Sequence, residues 1–558
     1  MKRNIVSTER IILAVAAVAA LLVSLACSSS ATPTAAPAAP TATLAPNSTA
    51  TAVPTATKTV VPTPTVKAVA AGPQYGGNLR YVGNVNPDTM DPNQSNEFIG
   101  RYIYYMIYNS LVKYAPDFSL EPELSKSWDI SADGKKVTFR LQQGVKFDDG
   151  SEFDANTVLW NFHYLADQKN QSKIRTTLSN DVASVEVVDK YTVVYNLKNP
   201  LRSLLSFLGE RSGFMLNPKA VEQWGGGPTG QYGRHPSGTG AFVMSEWTIG
   251  SRFVVTKNSK YWETGKPYLD KVTMLNVPDY TVNLAMLRTG EADIMDGMRN
   301  EDRKLVVGNP DVKVIEHKSG RYYGIRISVD RVPWDNKTLR AAIAYAIDRQ
   351  TVIDAVWGGA GRIAYTPEAA NWAEISDKIY AFDPAMARQK LKEAGYPNGI
   401  TFNYWCTTET LDYVSAPLCE SIQAMLSNVG IKTNIVVVPA SDYFNKQVNR
   451  ETHFNHTSFA PRADPDGRLW RVFHTGGASN VNGYSNPEVD KLLDEAAKLY
   501  DITKAKEIYT KAQRIIAEDA GTVFLRYSNE YAVLRSNVQD FVYIPDLILR
   551  FRELWFKQ

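Results

Sequence analysis

The sequence predicts an α/β protein with more than one domain, and three observations support this class. Its 558 residues exceed the size at which a single hydrophobic core usually stops growing. Hydrophobic residues make up 44% and charged residues 21%, as in ordinary globular proteins. Strand-type and helix-type patterns alternate in the later part of the chain, which is typical of α/β lobes with largely parallel sheets. A cleft between such lobes is where we expect a ligand to bind.

Composition and motifs argue against several function classes. The formal net charge of +3 gives no reason to expect nucleic acid as a partner. Three cysteines and six histidines are too few for a disulfide framework, and their spacing matches no zinc site. The sequence contains no Gly-x-Ser-x-Gly elbow, no Walker A loop and no His-Glu-x-x-His motif. We therefore expect no enzymatic activity, no cofactor and no metal.

The N-terminal residues predict export. Lys2 and Arg3 precede an apolar run over 11–26, the pattern of a secretory signal peptide. Cys27 follows at once, and the arrangement resembles a bacterial lipoprotein signal, in which the cysteine is lipidated and becomes the mature N-terminus. Ser24 stands where such signals usually carry leucine. We assign 1–27 as a lipoprotein-type signal peptide with Cys27 as the lipidation site; an uncleaved anchor or a plain secreted protein are the alternatives.

A low-complexity segment follows the signal. Residues 28–72 are mostly Ala, Thr and Pro, which cannot bury enough apolar surface to fold. Proline favours extended backbone of about 3.1 Å per residue. We predict a disordered linker that holds the folded part away from a membrane surface.

The folded part begins with strand patterns and continues with alternating helices and strands. Residues 128–141 indicate two strands joined by an Asp133-Gly134 turn, and 185–195 repeats the alternation. Helix patterns with capping signals and apolar strand patterns then follow in turn. The predicted helices are 338–356, 383–394, 416–429 and 487–499, and the predicted strands are 400–405 and 431–438.

A series of short motifs runs through the folded part in a fixed order. They are 76–80 (GGNLR), 108–112 (YNSLV), 122–128 (PELSKSW), 144–150 (GVKFDDG), 238–242 (GTGAF), 340–349 (RAAIAYAIDR), 394–397 (AGYP) and 485–490 (SNPEVD). Together they resemble the peptide, nickel and oligosaccharide family of ABC-importer solute-binding proteins, family 5, which includes oligopeptide- and dipeptide-binding proteins. The resemblance covers nearly all of 73–540.

The resemblance implies a large two-lobed fold of the periplasmic-binding-protein type II class, with an extra N-terminal subdomain and a hinge between the lobes. Ligand binding is expected to close the lobes. The expected division is lobe I over 73–108, 232–317 and 525–558, an inserted subdomain over 109–231, and lobe II over 318–524.

The resemblance also implies a ligand site in the loop 460–467 (APRADPDG). In peptide-binding members an aspartate of this loop accepts the ligand's α-amino group, and Asp464 matches that position. The alternative is that Asp464 or Asp466 only caps the turn or a following helix. Pro461 replaces the tryptophan of dipeptide binders, and Leu411 stands near the place of their carboxylate-binding arginine. Arg462 or Arg468 could take over that arginine's role.

Aromatic and cysteine residues complete the candidate site. Trp405 ends a predicted strand and could stack on a ligand, although core packing explains it equally well. Further ligand-site candidates are Glu409, Tyr413 and Trp372. Cys406 and Cys419 could form a disulfide in an oxidising compartment.

The expected function is therefore that of an extracytoplasmic receptor, tethered to the membrane by a lipid anchor, which passes a solute to an ABC importer permease. A peptide is the expected ligand and a monomer the expected state. The alternatives are an oligosaccharide or cationic-metabolite receptor of the same fold, or a ligand sensor for a signalling partner.

Overall fold

The computed structural model describes residues 72–558 apart from Asn96, Phe98, Ala370 and 408–414. The predicted signal peptide with Cys27 lies outside the described residues, as do residues 28–71 of the predicted linker. The strands are β1 (Asn78–Gly83), β2 (Val112–Tyr114), β3 (Leu120–Pro122), β4 (Ser125–Ile130), β5 (Lys136–Leu141), β6 (Val182–Asp189), β7 (Thr192–Leu197), β8 (Phe242–Thr248), β9 (Arg252–Lys257), β10 (Lys271–Asn276), β11 (Ile294–Asp296), β12 (Val312–Ile327), β13 (Arg362–Ile363), β14 (Ile400–Thr407), β15 (Ile431–Val438), β16 (Phe454–Phe459), β17 (Thr522–Arg535), β18 (Val538–Gln539) and β19 (Trp555–Phe556).

Helices cover the sheets and connect the strands. They are α1 (Ile99–Ile107), α2 (Ala155–Ala166), α3 (Arg175–Ser179), α4 (Leu204–Leu208), α5 (Pro218–Trp224), α6 (Tyr280–Thr289), α7 (Lys337–Ala346), α8 (Arg349–Trp357), α9 (Pro384–Glu393), α10 (Ser415–Ser427), α11 (Ala440–Val448), α12 (Asp466–Phe473), α13 (Pro487–Ala497) and α14 (Ile502–Glu518). Short 3₁₀ turns occur at Gln168–Asn170, Arg211–Gly213, Tyr232–Arg234 and Asn300–Leu305.

A long mixed sheet runs through the molecule. Its strand order is β15-β14-β16-β12-β17-β11-β1-β10-β9-β8, and β13 adds to β17. The expectation of largely parallel sheets is wrong. Among the described strands of this sheet, pairing is parallel where β1 meets β10 and β11 and where β14 meets β15 and β16. The other pairs of this sheet are antiparallel, including the central pair of β12 and β17.

Two lobes share the central strands β12 and β17. Lobe I carries β1 and β8–β11 on one side, and lobe II carries β14–β16 on the other. The register between β12 and β17 shifts between Lys318 and Tyr322. Such irregularities bend a strand pair and increase its twist. The two lobes are therefore joined by a strand pair whose register is irregular.

Alternate residues of β17 belong to different hydrophobic cores. Val523 and Leu525 lie in a cluster that contains helices of both lobes, whereas Phe524 packs with α12–α14 of lobe II. Ala532 and Leu534 pack with α1 in lobe I. Because successive strand residues point to opposite faces, the first cluster covers one face of the sheet. The opposite face has one separate core in each lobe.

The inserted subdomain has its own sheet and core. Its strands are ordered β4-β5-β7-β6, and all the neighbouring pairs are antiparallel. The predicted strand-turn-strand pattern over 128–141 is confirmed, with Gly134 at φ +68° in the turn. That left-handed conformation suits glycine, which has no Cβ to clash. The boundaries given for the lobes and the subdomain remain predictions.

The helix and strand predictions in lobe II are confirmed except in one place. α9 begins after Asp383, whose side chain accepts the amides of Ala385 and Met386, with Pro384 in the first turn. The predicted helix over 338–356 is two helices, α7 and α8. Asp348 interrupts it because its carboxylate accepts the amides of Gln350 and Thr351 and so caps α8.

Candidate ligand-binding site

Asp464 lies in the loop between β16 and α12 and is paired with an arginine of the inserted subdomain. Its Oδ2 accepts Arg202 Nε at 2.7 Å, and its Oδ1 accepts Arg202 Nη2 at 2.8 Å. Oδ1 also accepts a hydrogen bond from the Asp466 amide at 3.0 Å, which is the contact expected if Asp464 caps the turn. Both side chains are buried, at 6% exposure for Asp464 and 9% for Arg202. In this arrangement Arg202 offsets the charge of Asp464. Binding of a ligand amine by Asp464 stays a prediction.

Arg202 joins the subdomain to several parts of lobe II. Its Nη1 donates to the carbonyls of Ala496 and Leu499, both at 3.0 Å, and its Nη2 donates to Tyr509 Oη at 3.0 Å. Trp372 lies 4.7 Å from this guanidinium and meets Tyr509 edge to face. Burial acts against the charge of Arg202, but its bonds to Asp464 raise its pKa above the usual value.

Two further buried carboxyl groups lie close to this pair. Asp466 accepts the hydroxyl of Ser203 at 2.8 Å, and burial together with the charge of Asp464 raises its pKa to about 7. Burial also raises the pKa of Glu368 to about 7. Arg468 is fully buried, lies 3.5 Å from Glu368 and donates to the Gly320 carbonyl at 3.1 Å. Arg468 is thus enclosed by the protein in this structure, and its role as a substitute for the carboxylate-binding arginine stays a prediction.

A second charged region surrounds a small cavity. The cavity volume is about 10 Å³, which is the room of roughly one water molecule. Its lining comes from α1, the segment after α4 and the C-terminal segment: Arg101, Tyr105, Glu210, Arg211, Asp546 and Ile548. Arg462 extends the region from lobe II, because its Nη1 lies 3.9 Å from Glu210 Oε1.

We call four basic residues of this region the arginine cluster: Arg101, Arg211, Arg462 and Arg471. Burial acts against ionisation of Glu210, yet the charges of this cluster lower its pKa below the usual range. The pKa of Arg211 falls to about 10 through burial and the charge of Arg101. The pKa of Arg471 falls to about 10 through burial and the charge of Arg462. Guanidinium groups placed this way can bind carboxylates in a two-pronged geometry.

The sequence prediction included Arg462 but missed Arg101, Glu210 and Arg211. One signal could have found two of them. Glu210 and Arg211 stand between the apolar stretches 204–208 and 214–216, and charged residues within such a stretch are expected to be paired if they are buried. Arg101 gave no such signal, because it lies in a tyrosine-rich helix whose face toward the cavity is set by tertiary packing.

Trp405 lies in β14 and is partly buried, with Lys446 Nζ 5.8 Å from the centre of its ring. Glu409 and Tyr413 lie in 408–414, outside the described residues. The structure joins Cys406 and Cys419 in a disulfide with a Cα–Cα distance of 6.6 Å. Among the described residues, these sulfur atoms and a ring nitrogen of His456 lie within 4.8 Å of one another. Metals bind thiolates, and the disulfide holds both sulfurs, so this group cannot act as a metal site while oxidised.

Comparison with known proteins agrees with this architecture. Residues 119–480 match the family model of bacterial extracellular solute-binding proteins, family 5 middle. The glutathione-binding protein GsiB of Salmonella paratyphi A is 30% identical over 473 residues, covering 83% of this chain and 91% of that protein.

Solved structures of periplasmic binding proteins have a similar fold. The DppA protein of Helicobacter pylori, in complex with the peptide STSA, superposes with a TM-score of 0.79 at 26% identity, covering 87% of this chain and 99% of that one. The oligopeptide-binding protein AppA of Bacillus subtilis, in complex with a nonapeptide, gives a TM-score of 0.77 at 24% identity, covering 87% and 100%.

The fold and the enclosed charged region define a two-lobed α/β binding protein. The chain belongs to family 5 of the bacterial extracellular solute-binding proteins. Proteins of this family act outside the cytoplasm, where they capture solutes and deliver them to ABC importer permeases. No helix within the described residues is long and apolar enough to cross a membrane.

Proposed function

We propose that this protein captures a peptide between its lobes and delivers it to an ABC importer permease. The observation that carries the proposal is the similarity over most of the chain to GsiB, which binds glutathione, and to DppA and AppA with bound peptides. The charged region around the cavity supports the same site, since it extends to Arg462 of lobe II and a ligand there would contact both sides of the cleft. We propose binding without a chemical reaction and a monomeric state.

The proposed ligand contacts are made by residues predicted from the sequence, and the structure indicates which part of a ligand each could bind. Arg462 Nη1 lies 3.9 Å from Glu210, which lines the cavity. Arg462 is therefore the strongest candidate to bind a ligand carboxylate. Asp464 remains the candidate for a ligand amine, which would have to compete with Arg202 for the carboxylate. Trp405, Trp372, Glu409 and Tyr413 remain candidates for side-chain contacts. A cationic metabolite is disfavoured, because the arginines around the cavity would repel it.

A thermal-shift screen of the full-length protein in mild detergent tests the proposal. The panel contains glutathione, di-, tri- and pentapeptides, oligosaccharides and polyamines. A ligand at 100 times its dissociation constant stabilises the folded state by about 2.7 kcal/mol, which is readily detected as a higher melting temperature. Stabilisation by peptides supports peptide capture. Stabilisation by oligosaccharides or polyamines without any peptide response would overturn it.

We also propose that Cys27 carries a lipid anchor that tethers the protein to the cell membrane. The motif around Cys27 supports it, as does the extended linker composition after it. Changing Cys27→Ser should move the protein from the membrane fraction to the soluble fraction and abolish incorporation of labelled palmitate. Retention of the label in this variant would contradict lipidation at Cys27.

A further inference from the structure

The arginine cluster draws its members from separate parts of the fold. Arg101 belongs to α1, and Arg211 begins the 3₁₀ turn Arg211–Gly213 of the inserted subdomain. Arg462 and Arg471 lie in lobe II, in the loop before α12 and in α12 itself. Because these parts belong to different lobes, the cluster is assembled by closure. When the lobes separate, these arginines move apart and their positive charge is no longer concentrated.

Positive charge exceeds negative charge in this region even when Arg101 is left aside. Arg211, Arg462 and Arg471 all act electrostatically on Glu210. The nearby Asp546 is already paired with Arg550, whose Nη2 lies 2.5 Å from its Oδ2. Arg211 lines the cavity together with Glu210, and Arg462 Nη1 lies 3.9 Å from Glu210 Oε1, while Arg471 follows in α12. This region therefore holds more arginines than Glu210 alone can offset.

Two of these arginines donate hydrogen bonds to neutral acceptors. The Nη1 of Arg211 donates to the carbonyl of Ser95, and the Nε of Arg471 donates to Ser479 Oγ at 2.9 Å. Neutral acceptors orient a guanidinium but do not cancel its charge. The side chain of Arg471 also reaches solvent, although enough protein surrounds it to lower its pKa. An incoming anion can therefore approach this group.

Bringing like charges together in a closed cleft costs free energy, and an anion between them offsets that cost. We propose that the ligand carries two acidic groups, and that Arg211, Arg462 and Arg471 bind them as the lobes close. The chemical class is an acidic peptide. This inference rests on the proposed peptide capture. Since the cavity now has room for about one water, the acidic groups enter while the lobes are apart.

Isothermal titration calorimetry on the full-length protein in mild detergent tests the inference with matched ligands. The probes are the tripeptides Glu-Ala-Glu and Gln-Ala-Gln, which differ in charge but hardly in shape, and citrate as an acidic compound that is not a peptide. We expect Glu-Ala-Glu to bind at least about tenfold more tightly than Gln-Ala-Gln, as charge-assisted hydrogen bonds predict. Raising the salt concentration should reduce this preference.

Variants then assign the preference to these residues. Arg211→Gln and Arg471→Gln should each weaken Glu-Ala-Glu binding at least about tenfold and leave Gln-Ala-Gln nearly unchanged. Arg471→Gln affects a solvent-reaching side chain, so it serves if the buried Arg211 variant fails to fold. The matched control is Arg252→Gln in β9, an exposed arginine paired with Glu246. Glu210→Gln should act in the opposite direction and strengthen Glu-Ala-Glu binding, which a purely structural role would not produce.

The outcomes separate this inference from the proposed function. Equal binding of the two tripeptides, or a preference that both arginine variants retain, overturns the acidic-ligand inference and leaves peptide capture standing. Binding of citrate alone, lost in Arg211→Gln or Arg471→Gln, supports the arginine site and overturns peptide capture. Weaker Glu-Ala-Glu binding in Glu210→Gln counts against the inference. If none of these probes binds while another peptide of the thermal-shift panel does, the acidic-ligand inference fails and peptide capture stands.

Discussion

At the scale of single residues, the contact between the subdomain and lobe II contains carboxyl groups whose burial opposes ionisation. Asp466 is the clearest case, because the charge of Asp464 adds to the effect of burial, and its pKa rises from 3.8 to about 7. Ser203 donates one hydrogen bond to it, which compensates only in part. Ionised Asp466 is therefore a cost to the folded state at neutral pH.

This cost predicts how stability depends on pH. Between pH 4 and 7 the folded state binds more protons at Asp466 than the unfolded state does. The group's contribution to stability is thus fully present below about pH 4 and is lost as the pH rises through 7. Replacing Asp466→Asn removes this loss, so the ligand-free variant should melt a few degrees higher than wild type at pH 8 and at nearly the same temperature at pH 4.

Thermal melts across this pH range check that expectation. Asp501→Asn is the control, since Asp501 is an exposed helix cap whose pKa is lowered by its bond from the Lys504 amide. That variant should lack the gain at pH 8. A melting temperature of Asp466→Asn below that of wild type at pH 8 would contradict the account.

The sequence could place Asp464 in the right loop but could not supply its partner. The motif at 460–467 marks the loop after β16 because turn-forming residues follow a strand there. Arg202 lies 262 residues earlier in the chain, in a different structural unit. Contacts between residues so far apart in the sequence depend on the packed fold, and local sequence spacing does not predict them. Arg101 escaped prediction for the same reason.

At the scale of elements, the break between α7 and α8 has a local sequence signal, the N-cap residue Asp348. In the prediction, the apolar periodicity across this position outweighed it. The apolar spacing over 338–356 continues through Asp348, so periodicity alone predicts one helix. Asp348 accepts the amides of Gln350 at 3.1 Å and Thr351 at 3.3 Å and begins a new helix. An aspartate followed by a helical stretch is an N-cap signal, and here it decides the boundary.

Removing this cap should weaken the fold by a modest amount. Asp348→Ala should lower the free energy of unfolding by about 1 kcal/mol, because two amides of α8 lose their acceptor. Asp348→Asn keeps an acceptor oxygen and should cost much less. Urea denaturation of both variants beside wild type provides the measurement. Equal losses in the two variants would mean that the charge, and not the cap, stabilises α8.

The disulfide is a second element-scale feature, since it ties the end of β14 to α10. Cys406 and Cys419 are 13 residues apart, and a loop of about this length gains about 3 kcal/mol from cross-linking. The double variant Cys406→Ser/Cys419→Ser should therefore unfold at lower denaturant concentration than oxidised wild type. Reductant should destabilise wild type and leave the double variant unaffected. An unchanged denaturation midpoint in the double variant would argue against a stabilising disulfide.

At the scale of the whole molecule, the Arg202–Asp464 pair connects the inserted subdomain to lobe II. Breaking a buried pair leaves an uncompensated charge, which costs about 3–5 kcal/mol. Arg202→Ala should therefore lower the melting temperature and increase the radius of gyration, because separation of the lobes lets water reach Asp464. Small-angle X-ray scattering and thermal melts of the ligand-free protein measure both effects.

Two further variants identify the cause. Arg252→Ala removes an exposed arginine paired with Glu246, and such pairs contribute about 1 kcal/mol or less. Arg202→Leu/Asp464→Leu removes both charges together and should recover most of the stability lost in Arg202→Ala. If the double variant is as unstable as the single one, the uncompensated charge is not the cause.

The overall architecture was largely predictable, whereas the strand directions were not. Alternating patterns and ordered motifs led to an α/β fold with two lobes and an inserted subdomain. They did not reveal that β12 and β17 pass antiparallel through both lobes. A strand's hydrophobic pattern records which of its faces are buried, and it indicates the direction of a neighbouring strand only indirectly.

The position of β17 also bears on how the protein is made. β17 lies between β11 and β12 in the middle of the sheet, yet every strand that pairs with it comes earlier in the chain. During synthesis the sheet lacks its central strand until residue 535 has left the ribosome, because non-local pairing must wait for both partners. The emerging chain stays open along that gap. This order of assembly delays completion of the central sheet until nearly the whole chain has been made.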